Sequence, residues 1–159
     1  MTIPIRRTGE AAAAALAALT ERYGELPSDY LHFLTMHDVA ALPYNALRGN
    51  DDVSVRRFTP AAEIAATADG IEGLNEGLIP IAFDDCGNYI CLGADDHKIY
   101  FWNHEDEVET KVIAEYFSDM LRKIELIDLS LIENMPKATS VWVDPAFKPS
   151  YYNSGDKDN

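Results

Sequence analysis

The chain has 159 residues, the size of one domain, with 47% hydrophobic residues to fill a core. Its 27 acids against 13 Lys and Arg leave a net charge of −14. That field disfavours nucleic-acid backbones and anionic membrane surfaces and favours basic protein partners.

Arg6 and Arg7 precede the small apolar run Ala11 to Leu19, which imitates a signal peptide. Glu10 interrupts it, and alanine is weakly hydrophobic but the strongest helix former. Residues 10–23 are therefore read as an amphipathic helix that ends at Gly24. Pro27, Ser28 and Asp29 start a second helix, with Tyr30, Phe33 and Leu34 on its buried face, fading near His37 and Asp38. Residues 39–52 carry Pro43, Asn45, Gly49 and Asn50 and read as a loop. Val53 to Phe58 alternates as a short edge strand. Thr59 as N-cap and Pro60 in the first turn predict a helix to about Ala68, followed by a linker from Gly70 to Gly77.

Three short β-type runs follow: Ile79 to Phe83, Asn88 to Leu92 and Lys98 to Trp102. The turn-rich spacers between them predict a three-stranded antiparallel meander. Ile113, Phe117, Met120, Leu121 and Ile124 then fall at helical spacing, predicting a helix over 112–125 that residues 127–132 extend. Pro136 ends that region, and 140–143 fits one more strand. The expected organisation is an α+β domain over 1–135 with helices packed on an antiparallel sheet, and a partly disordered extension over 136–159.

Catalytic and metal chemistry find little footing. Cys86, Cys91, His97 and His104 match no zinc spacing, and Asp84, Asp85, Asp95 and Asp96 lack the alternation of a calcium loop. There is no P-loop, G-x-G-x-x-G or H-E-x-x-H. Two cysteines suggest free thiols in a cytoplasmic protein rather than a disulfide framework. The expectation is a non-enzyme without metal or cofactor.

The remaining signal is charge placement. Between Asp84 and Glu109 stand eight acids and one base, Lys98, a net −7 and half of the total. The candidate partner-binding residues are Asp84, Asp85, Asp95, Asp96, His104, Glu105, Asp106 and Glu107, with Tyr100 and Trp102 as aromatic anchors. Tyr100 and Trp102 share one strand face, opposite Ile99 and Phe101. Successive meander turns leave opposite ends of a sheet. The acids at 84–85 and 105–109 therefore either flank opposite ends or are drawn together by twist and the final loop.

LPSDYLHFL (26–34), LIPIAFDDCGNYICLG (78–93), KIYFWNHE (98–105) and VIAEYFSDML (112–121) resemble the SUKH superfamily, the Smi-one/Knr-four family. The resemblance covers roughly residues 8–130. One departure is at residues 37–40, where the family often has Asn-Gly-Gly and this chain has His37, Asp38, Val39 and Ala40. The resemblance implies an α+β fold with no catalytic residues to carry over. It also implies an immunity protein that neutralises a secreted or contact-dependent polymorphic toxin, a basic nuclease being the partner that the charge favours. The alternative it offers is a regulatory adaptor of the cell-wall-regulator type. Either would act as a monomer or weak dimer.

Overall fold

The computed structural model describes residues 11–130. The alanine-rich start forms α1, Ala13–Tyr23, with Leu19 buried. Gly24 ends it at φ +82°, its N–H donating to Thr20 O at 3.0 Å. A residue with a β-carbon would be strained at that angle. Helix α2, Ser28–Met36, buries Tyr30, Phe33 and Leu34 as the spacing predicts.

The segment read as a loop contains a strand. β1, Asn45–Leu47, pairs antiparallel with β7, Ile124–Leu126, at the far end of the domain. Buried Asn45 makes this possible. Its amide donates to Pro43 O and Val55 O, both at 2.7 Å, while its Oδ1 accepts the Val55 N–H at 3.0 Å. Of the strand expected over 53–58, only Arg57–Phe58 (β2) joins the sheet; Val53 and Val55 are buried outside any strand. The helix expected from Thr59 begins later, as α3, Ile64–Gly70. Thr59 is not its cap: its N–H continues the ladder to Ile81 O at 2.9 Å. Asp38 instead accepts the Ala61 N–H at 2.8 Å.

The meander is present as β3 (Leu78–Phe83), β4 (Tyr89–Gly93) and β5 (Ile99–Asn103), and it is longer than the sequence suggests. β6, Asp106–Ala114, adds a further antiparallel strand where an acidic loop and the start of a helix are expected. The helix there is short: α4, Phe117–Lys123. Val108, Thr110, Val112 and Ile113 suit a pleated strand, and pairing with β5 overrides the helical period that begins at Ile113. The result is a five-stranded antiparallel sheet in the order β2-β3-β4-β5-β6, beside the two-stranded β1-β7 sheet.

The main core lies between the helices and the inner sheet face, which supplies Ile79, Ile81, Ile90, Leu92, Ile99 and Phe101. Three elements meet in one aromatic cluster. Phe117 of α4 packs on Tyr30 and Phe33 of α2, each at 5.0 Å, and Phe33 packs on Phe58 of β2 at 4.6 Å. Asp29 joins α2 to α4, its Oδ2 accepting the Ser118 N–H at 2.8 Å.

The chain divides into two units, Met1–Ile127 and Asp128–Asn159, and every element named above lies in the first. In the second, the Ser130 N–H donates to Asp128 Oδ1 at 2.9 Å. The expected boundary after 135, the strand at 140–143 and the tail lie outside the described residues.

Candidate functional site

The β3–β4 and β5–β6 turns leave the same end of the sheet, because the first and third turns of a meander must. A hydrogen-bond network locks them together. Asp84, 5% exposed, accepts the backbone N–H groups of Cys86 at 2.8 Å and Asn88 at 2.9 Å, and the Asn88 amide at 2.8 Å. Asn88 Oδ1 then accepts the backbone N–H of His104 at 3.3 Å and lies 2.8 Å from the His104 ring Nδ1. An amide oxygen can only accept, so this contact is a hydrogen bond in the tautomer that carries its proton on Nδ1. Gly87, at φ +88°, allows the turn to close.

This scaffold leaves Asp85, Cys86, His104 and Glu105 exposed at one end. Asp85 pairs with Arg56 Nε at 3.1 Å. Arg56 also donates to Leu42 O at 2.7 Å, and its guanidinium lies 5.9 Å from the Tyr44 ring centre. Tyr44 is 56% exposed, the most exposed large hydrophobic among the described residues.

The β4–β5 turn, with Asp95 and Asp96, leaves the opposite end. Asp96 Oδ1 accepts the Lys98 N–H at 3.1 Å, and its Oδ2 accepts the Tyr100 hydroxyl at 2.5 Å. The Tyr100 hydrogen bond holds the Asp96 carboxyl below its ordinary range, and the same bond raises the Tyr100 phenol. A β-carbon on Gly93 would collide with Asp96 Oδ1, so a larger residue there would displace the Asp96 carboxylate. A shallow cavity of about 340 Å³ lies here, lined by Asn75, Leu78, Asp95, Asp96, Tyr100 and Thr110 among others.

The ten candidates thus do not form one face. Asp85, His104 and Glu105 stand together, with Asp106 opening β6 opposite Asn103 and Glu107 following it along the strand. Asp95, Asp96 and Tyr100 stand at the other end. Asp84 is internal, spent on its turn. Trp102 is also a correction to the expected exposed pair. It is 5% exposed, packed with Leu78 and Cys91 on the outer sheet face, where Ile71 and Leu74 of the segment after α3 adjoin. Of the two faces left open by the sequence, it is Ile99 and Phe101 that face the main core.

Sequence reasoning missed Tyr44, Arg56 and Asn88. Asn88 carries a readable turn signal, but its partner His104 is 16 residues away. Cys91 is buried, and burial pushes its thiol up to about 12, so it packs as an apolar side chain. Among the described residues no three His, Cys, Asp or Glu side chains group closely enough to hold a metal ion. Among them too, no helix is long and apolar enough to cross a membrane.

Helices packed on an antiparallel sheet, with acids carried at the turns, define an α+β domain. The model of the SMI1 / KNR4 family (SUKH-1) matches residues 10–123, most of the chain, and the chain belongs to this family. No curated protein matches it. The family is consistent with an immunity-protein role exercised through protein–protein contact.

Proposed function

We propose that this chain is a cytoplasmic, non-catalytic immunity protein that binds and neutralises a basic toxin domain, a nuclease being the toxin class its charge fits best. The observation that carries this reading, within the family, is the locked pair of turns. The Asp84–Asn88–His104 network holds two acid-bearing turns side by side on a rigid sheet end, so their side chains are pre-placed before a partner arrives. Asp85 and Glu105 supply negative charge there, and exposed Tyr44 with Arg56 supplies an aromatic and cationic anchor of the kind that dominates interfaces. Nuclease domains are basic because they hold phosphate, so attraction to this end both speeds encounter and selects the partner.

The test is co-expression with a toxin-like domain encoded beside this chain. The wild-type chain should restore growth. The double reversal Asp85→Lys with Glu105→Lys should lose that protection while the protein still folds, whereas Asp51→Lys, outside the two locked turns, should retain it. Protection undiminished by the double reversal rules out this end as the interface. Failure to protect against, or bind, the adjacent toxin rules out the immunity reading.

A further inference from the structure

The cavity of about 340 Å³ at the end opposite the locked turns combines carboxylates with an apolar and aromatic wall. Asp95 and Asp96 line it together with Leu78 and Tyr100. Lys98, the one base between Asp84 and Glu109, is drawn to Glu115 at 3.4 Å. Among the described residues no Lys or Arg pairs with Asp95 or Asp96.

The Asp96 carboxylate is fixed before any ligand arrives. One oxygen accepts the Lys98 N–H and the other the Tyr100 hydroxyl, and that hydroxyl favours the ionised form. Gly93 admits the carboxylate, since a β-carbon there would overlap Asp96 Oδ1. The turn itself is tied down on two sides. The Ala94 N–H donates to Gly77 O at 2.8 Å, and the His97 ring Nε2 lies 3.1 Å from Glu25 O.

A neighbouring cavity of about 330 Å³ shares Asn75 and Leu78 with the first. There the chain supplies its own cation: two guanidinium nitrogens of Arg22 donate to the two oxygens of Asp69, at 2.6 and 3.2 Å. That is the fork geometry by which arginine meets a carboxylate. The first cavity has carboxylates and no arginine among the described residues that line it.

We propose that the cavity beside Asp96 takes an arginine side chain of a basic partner, a second contact at the far end of the sheet from Asp85 and Glu105. The guanidinium meets the Asp95 and Asp96 carboxylates, and its aliphatic stem lies against Leu78 and Tyr100. The source of that arginine rests on the basic-partner reading, whereas the chemistry of the cavity is testable without a toxin, so the two can fail separately.

The probe is N-acetyl-arginine amide, titrated to millimolar levels into the isotope-labelled full chain and followed by NMR. N-acetyl-citrulline amide serves as its neutral twin. Saturable amide shifts centred on Gly77, Gly93 and Thr110 are expected for the arginine and not for the citrulline. Asp95→Asn and Asp96→Asn should each weaken binding by about threefold or more. Gly93→Ala should also weaken it, by pushing the Asp96 carboxylate aside, whereas Asp51→Asn, outside the cavity, should leave it unchanged. Circular dichroism checks that Gly93→Ala folds, and the two Asn variants decide the matter if it does not. No saturable shift, an equal response to citrulline, or shifts centred instead on the turns of Asp85 and Glu105 overturn the proposal. So does binding indifferent to both Asn variants.

Discussion

At the scale of residues, the motif side chains divide into those that hold turns and those that face outward. Asp84, Gly87 and Asn88 are committed to local geometry, and Asp96 is committed to Tyr100 and to the Lys98 N–H. The Asp96 pair has a signature in pH. Its carboxyl titrates below the ordinary range, so this contribution to stability is present above that range and is lost as pH falls through the lowered value. The Tyr100 phenol is raised, so its contribution is present below about 10, the ordinary tyrosine value, and is lost as pH rises through the raised one. Tyr100→Phe removes the hydroxyl donor. The Asp96 carboxyl should then titrate closer to an ordinary aspartate, followed by its carbon chemical shift in NMR; an unchanged titration would show that the hydroxyl is not the cause.

At the scale of elements, a recurrent device is a carboxylate or amide on one segment satisfying another's backbone. Asn45 clamps Val55, Asp38 holds the turn before α3, and Asp29 caps α4 from α2. The last matters because Tyr116, at the N-cap position of α4, offers no side-chain cap of its own. An N-terminal amide left unsatisfied beside the aromatic cluster weakens the α2–α4 contact. Asp29→Ala should therefore cost about 1–2 kcal/mol in denaturant unfolding, the range for a lost cap. A loss of under about 0.5 kcal/mol would show that water replaces the carboxylate there. Helix α2 was legible in its apolar spacing because its residues and their period lie together. β6 was not. Ile113, Phe117 and Met120 fit one helix on paper, yet the first belongs to a strand and the others to α4. Periodicity cannot see the open edge of β5 that recruits residues 106–114.

At the scale of the whole molecule, the net charge of −14 makes the proposed partner contact sensitive to salt. Binding of a basic toxin gains from the protein's field, so its association rate should fall as salt is raised. Stopped-flow mixing across a salt series checks this; a rate indifferent to salt would contradict attraction by the acidic end. The sequence by itself determined the α+β class, the meander strands and the acidity, because these rest on local periodicity, turn chemistry and composition; it also carries the motifs through which it resembles its family. Only the tertiary structure decided which acids stand together. It buried Asp84 in its own turn and Trp102 on the outer sheet face, set Asp85 and Glu105 at one end of the sheet, sent Asp95 and Asp96 to the other, and made a strand of the acidic segment. Each of these outcomes depends on strand order and on partners distant in sequence, and local patterning carries no record of either.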